Sequence, residues 1–170
     1  IYTTKESINI EVTCLKRNFE ATLALAEEIL FEPRWDEKEF ARIKAETIER
    51  INRSSAIPST IASNVFNRLN YGNHILANST MGTEESVMTI ELEDLKKYYE
   101  DNFSVDLSTI SIVGDINQNG AIKAFKSLSN RWEIKDVNFP EYAMPESNNK
   151  AKIYFVDVPG AKQSEIRIGY

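Results

Sequence analysis

The stretch from Pro33 to Gly72 constrains this chain most, because apolar residues recur there at helical spacing while proline and glycine mark where each run must stop. In "PRWDEKEFARIKAETIERINR", Asp36 and Glu39 have the spacing of a capping box. Phe40, Ile43, Ile48 and Ile51 fall in one narrow arc of a 3.6-residue helix. Pro58 suits the first turn of the next run, which carries Ile61, Val65 and Leu69 and meets Gly72 where a left-handed stop is wanted. Two amphipathic helices in succession are expected, and each must bury its stripe against another layer.

The flanks bring a second period. "SINIEVTC" (7–14) alternates, with Ile8, Ile10 and Val12 on one side, and "STISIVGD" (108–115) ends a similar run at Gly114, so both predict strands. Between the first of these and Pro33, Asn18 and Glu20 suit a helix start, and Phe19, Leu23, Ala26 and Leu30 form its core stripe. "TMGTEESVMTI" offers two turn or cap signals. Thr89 can then cap "IELEDLKKYYEDNF", whose acids precede its lysines in the order the helix dipole favours. Residues 117–131 predict a further helix with Ile122, Phe125 and Leu128 inward.

Residues 132–150, with Pro140, Pro145 and "ESNNK", keep no lasting period and read as a linker. After it, "KIYFVDV" (152–158) is apolar on both faces as a central strand would be, "SEIRIGY" (164–170) alternates, and "PGAKQ" between them can turn the chain back. Strands and runs of helices without regular β-α-β alternation predict an α+β fold: a mostly antiparallel sheet backed by several helices, with the strands at 8–14, 108–113 and 152–158 sharing it. Both ends read as cut, since the chain starts without Met and stops inside an alternating run.

At 170 residues the chain can hide roughly 70% of its unfolded surface, and 42% hydrophobic with 27% charged residues is the balance of a soluble globular protein. Twenty basic against 26 acidic residues leave a net charge of -6, with no Lys/Arg run to attract nucleic acid or anionic lipid. No apolar run is long enough to span a bilayer. One cysteine, Cys14, excludes an internal disulfide and a thiolate zinc cluster, and reads as a small buried hydrophobe. One histidine, His74, is too few for a histidine-built zinc site, and it follows a helix stop where it can bond backbone carbonyls or pack on Tyr71.

Glu46 and Glu49 have the three-residue spacing from which acid/base pairs and metal sites are made. Glu49 lies nearly opposite the apolar arc, and Glu46 and Glu49 precede Arg50 and Arg53 by four residues, so both read as surface ion-pair partners. The tyrosines and phenylalanine of "KKYYEDNF" read as core, and the lone glycine of "VGDINQNG" is far from a phosphate-loop pattern. The residues themselves assign no catalytic constellation.

The order of "LALAEEILFEPRWDEKEFARIKAE", "YGNHILANSTMGTEESVMTIELEDLKKYYEDNFSVD", "STISIVGDI" and "IYFVDVPGAKQSEIRIGY" resembles the pitrilysin/insulinase family of zinc metallopeptidases, including the mitochondrial processing peptidase type, over nearly the whole chain. The resemblance implies paired α+β halves that close around an unfolded peptide. It places residues 1–131 in the C-terminal part of one half, 132–150 in a linker, and 151–170 in the first strands of a following, similar domain. The family's His-x-x-Glu-His motif is absent here. Its third zinc ligand corresponds to Arg50 in Ile48-Glu49-Arg50-Ile51, a cation where an anion is needed; Glu49 would serve only if the alignment shifts by one residue. The resemblance therefore implies a non-catalytic half with no catalytic or metal residues of its own and no substrate-binding residue assigned, with zinc held by a catalytic sister half on the same chain or a partner subunit. Two alternatives stand beside it: part of an active half whose motif lies outside this chain, and an interaction subunit that binds no peptide.

Overall fold

The computed structural model of the chain describes residues 1–145 and 150–169. It divides into two compact units, each made of two separate stretches of sequence: Ile1–Asp36 with Glu91–Phe139, and Glu37–Ile90 with Pro140–Tyr170.

In the first unit, β1 (Tyr2–Thr3) pairs antiparallel with β2 (Ile8–Asn9), Tyr2 opposite Asn9 and Thr3 opposite Ile8. A 3-10 turn at Lys16–Asn18 leads into α1 (Phe19–Phe31). The predicted stripe of α1 is its covered side, with Leu30 buried and Phe19, Leu23 and Ala26 half-buried. The unit continues with α5 (Leu92–Asn102), α6 (Gln118–Ala124) and α7 (Lys126–Arg131). Phe31 meets Trp132 edge-on at 6.0 Å between ring centroids, and Tyr99 meets both Trp35 at 5.6 Å and Phe103 at 4.8 Å. Such pairs add attraction beyond area burial, so this half-buried aromatic group, with the buried Leu30 and Leu128, makes the unit's core. Polar ties reinforce it: Arg131 pairs with Glu32 at 2.8 Å, and Ser127 donates to the buried Glu27 at 3.2 Å.

The second unit holds α2 (Glu37–Ser54), α3 (Pro58–Tyr71) and the six-residue α4 (Glu84–Thr89). Pro58 sits in the first turn of α3, and the helix ends at Gly72 as the punctuation predicts, though with φ +57° and ψ -114° the glycine lies outside the left-handed helical region expected of it. A 3-10 turn at Ile75–Ala77 then packs back on α3 and buries Ala77. The Thr83 side chain accepts from the Ser86 amide while the Ser86 hydroxyl accepts from the Thr83 amide, a reciprocal cap that starts α4. Helix α2 packs on α4, with Lys44 donating to the Met88 carbonyl, and its Ile51 is buried.

Several sequence expectations give way here. The predicted strand at 7–14 shrinks to β2, and Ile10 and Val12 are exposed, because only the short ladder with β1 offers backbone partners. Residues 108–113 and 152–158, and the described part of 164–170, form no strand; Tyr170 and 146–149 of the linker lie outside the described residues. The turn between the last two segments exists: Ala161 donates to the Val158 carbonyl at 3.1 Å and Gly160 has φ +80°. With Pro159 before it this is the geometry of a type II turn, whose twist splays flanking strands, which explains why no hairpin ladder follows. Among the described residues the expected broad sheet is thus one two-stranded antiparallel ladder, beside predominantly helical structure.

Local expectations shift too. The helix expected over 117–131 breaks at Phe125, leaving Ile122 exposed, and Asn18 stands at the start of α1 without a side-chain cap. Thr89 closes α4, its hydroxyl donating to Ser86, while the side chain of Asp94 takes the Glu91 amide at the head of α5. Ile43 is half exposed because Lys44, drawn onto α4, takes the covered side of α2. Cys14 is exposed, since the segment that was to bury it makes no sheet.

Candidate functional site

Helix α2 carries the residues the sequence singles out. Its charge-rich face holds Glu39, Arg42, Glu46, Glu49, Arg50 and Arg53 in succession. Arg42 reaches both ways: Nε donates to Glu39 at 3.0 Å, and its terminal nitrogens pair with Glu39 and Glu46. The side-chain hydrogen bonds to Glu39 and then Glu46 hold the guanidinium's pKa above its ordinary value. One turn on, Arg53 pairs with Glu49 at 3.1 Å. The Glu49–Arg53 pair is the one the spacing predicts. Glu46 differs: it turns back to Arg42, leaving Arg50 exposed on the same helix. A guanidinium fork already held by Glu39 is pre-oriented for a second carboxylate one turn on, which favours Arg42 over Arg50.

His74 lies elsewhere in the second unit. Its Nδ1 accepts from the Leu76 amide at 3.2 Å, so the ring caps the 3-10 turn instead of donating to carbonyls. Tyr71 lies 6.5 Å away, as expected, and Tyr142 meets the ring edge-on at 5.7 Å.

These placements decide how the chain suits zinc. The carboxylates of Glu46 and Glu49 are engaged by arginines, and the Nδ1 of His74 is used by the backbone. Among the described residues no group of three or more His, Cys, Asp or Glu is placed to hold a metal ion. A tetrahedral zinc site needs at least three converging protein donors, so the described residues do not fit one.

Two cavities lie in the first unit. The larger, about 360 Å³, opens beside Lys16, Asp115 and Gly120, where Lys16 and Asp115 form a 2.7 Å ion pair at the surface. This is the "VGDINQNG" segment, and its cation is already neutralised. The smaller, about 140 Å³, is walled by Phe31, Tyr99, Phe103 and Trp132, with Arg131 stacked on Phe31 at 4.8 Å and Lys135 on Tyr99 at 5.8 Å.

Sequence reading missed two polar anchors. Lys44 Nζ donates to the Met88 and Ile90 carbonyls, each at 2.7 Å, and so closes the C-terminal end of α4. Buried Ser104 accepts from the Lys135 amide at 2.8 Å and donates to Asp106. The carbonyls that Lys44 reaches and the Lys135 amide that Ser104 holds are more than thirty residues away, so no local signal announces them.

The family model of the peptidase M16 inactive domain matches residues 89–170. The resemblance to pitrilysin/insulinase-type zinc metallopeptidases therefore holds. Among individual proteins, the chain is similar to the "Uncharacterized zinc protease YmxG" of Bacillus subtilis (strain 168), 26% identical over 144 residues, covering 83% of this chain and 35% of that protein. It is also similar to the "Non-peptidase homolog YmxG" of Helicobacter pylori (strain ATCC 700392 / 26695), 22% identical over 128 residues, covering 75% and 30%. The crystal structure of a peptidase M16 inactive domain from Pseudomonas fluorescens superposes with a TM-score of 0.68 over 77% of this chain and 32% of that one, at 23% identity. The chain spans about a third of the length of the curated relatives it matches.

Proposed function

We propose that this chain is a non-catalytic part of a zinc-metalloprotease-type protein, helping to enclose and bind a peptide while a catalytic sister half, on the same polypeptide or a partner subunit, supplies zinc. The observation that carries this reading is the state of α2: the carboxylate next to the expected ligand position, Glu49, is held by Arg53, and the position itself is Arg50, an exposed cation. A cation cannot ligate Zn²⁺ and repels it. In the same reading residues 1–131 close one half, 132–150 link, and 151–170 begin the next similar domain.

Metal analysis of the full-length protein with Glu49→Gln and Arg50→Ala made separately tests the assignment. The expected result is unchanged zinc content in both, because the ion belongs to the sister half. Loss of zinc in Glu49→Gln alone would instead support a catalytic half in which Glu49 is the ligand, a reading favoured by the zinc-protease name of the Bacillus relative. An unfolded, fluorescently labelled peptide that never binds the full-length protein would leave an interaction subunit as the remaining reading.

A further inference from the structure

Residues 164–169 have a strand's alternation but pair with no strand, and Arg167 and Gly169 lie against helix α3. Arg167 Nε donates to Ser63 Oγ at 3.3 Å and its Nη2 to the Ser59 carbonyl at 3.4 Å, while Nη1 holds Glu165 at 3.2 Å. Ser59, Ser63 and Phe66 follow at spacings of four and three, so they share one face of α3. Gly169 lies on the Phe66 ring: a Cβ there would stand 2.3 Å from Phe66 Cζ, far inside contact distance. Exposure alternates in degree. All four residues are exposed, with 35% and 36% of the Glu165 and Arg167 side-chain surface open and 75% and 93% of the whole-residue surface of Ile166 and Ile168.

We propose that Arg167 and Gly169 form a register lock on α3, a device that decides which face of this segment turns outward. The guanidinium reads one pair of adjacent oxygens, the Ser63 hydroxyl donating to the Ser59 carbonyl at 2.9 Å, which fixes position along α3, and the missing side chain at 169 admits the Phe66 ring, which fixes the face. A slip by one residue would bring Ile168 onto Phe66 and expel Arg167 from its oxygens, exchanging every inward side chain for an outward one. The lock thereby holds Ile166 and Ile168 on the outer face as a fixed apolar pair. It does not depend on the function proposed above.

Single thiols report the face directly. In a Cys14→Ser background of the full chain, Glu165→Cys and Ile166→Cys are each modified with a maleimide, and each rate is normalised to that of the same variant in denaturant. The expected ratio favours position 166 by about tenfold or more, and Gly169→Val or Arg167→Ala brings it to about twofold or less as the segment opens locally. Far-UV circular dichroism confirms in each variant that the helices persist. Equal rates at 165 and 166 with the lock intact would overturn the proposal. So would a ratio that neither substitution changes.

Discussion

The Tyr99 hydroxyl donates a 2.5 Å hydrogen bond to the backbone carbonyl of Leu30, tying α5 to the last turn of α1. That carbonyl is among those a helix end leaves without an intrahelical partner, so Tyr99 supplies a cap as well as an aromatic wall. Tyr99→Phe keeps the ring contacts with Trp35 and Phe103 and loses only the hydroxyl. A stability loss of about 0.5 to 1.5 kcal/mol is expected in urea unfolding.

The same hydroxyl gives a pH signature. Burial pushes the Tyr99 phenol up from its ordinary value of 10.0, and Arg131 partly opposes the shift. The folded state therefore holds this proton more tightly than the unfolded chain. Its contribution is complete below the unfolded pKa and is lost as pH rises through the folded value. Wild-type stability should decline above pH 10 more steeply than that of Tyr99→Phe, in matched denaturation curves from pH 8 to 11.

Ser104 joins the 3-10 turn at Val105–Leu107 to the segment 133–135 through the Lys135 amide. Removing its hydroxyl leaves that amide without its partner in a site where Ser104 is only 2% exposed. Ser104→Ala should cost about 1 to 3 kcal/mol, the penalty of an unsatisfied buried donor, whereas Ser108→Ala should cost less. Equal midpoints for the two variants would refute this ranking.

Lys44→Met keeps the aliphatic stem and removes the ammonium that closes α4. Hydrogen exchange should quicken in residues 84–90, with about 1 kcal/mol of stability lost, while α3 stays as protected as before. Uniform loss of protection across the unit would show that Lys44 acts on packing and not on the helix end.

Gly72 has φ +57° and ψ -114°, a pair outside the regions open to residues with a Cβ. Its surroundings are open, so the penalty of Gly72→Ala is purely conformational. It should lower stability by about 1 to 3 kcal/mol in thermal unfolding, and Asn73→Ala should not.

What was legible in the sequence was what neighbours along the chain decide. Pro58, Gly72 and the stripe of Phe19, Leu23, Ala26 and Leu30 place α1 to α3 closely, because capping and 3.6-residue spacing are local. The strands failed for the opposite reason. Alternation in 108–113 and 152–158 states a preference, but a ladder needs a partner that alternation cannot name, and Pro159-Gly160 turns the chain with the wrong twist for a hairpin. Lys44 and Ser104 act on carbonyls and amides more than thirty residues away. At the candidate site, Glu49 chose the arginine its spacing indicated, while Glu46 was decided by Glu39, which had already oriented Arg42.

Glu46 and Glu49 of α2 are ion-pair partners of Arg42 and Arg53, and the proposal built on this is that they ligate no metal. Elemental analysis of the purified chain after zinc loading and exhaustive dialysis against buffer tests it most directly. The expected result is far less than one zinc per chain, with Glu49→Gln indistinguishable from the parent. One zinc per chain, abolished by Glu49→Gln, would contradict it.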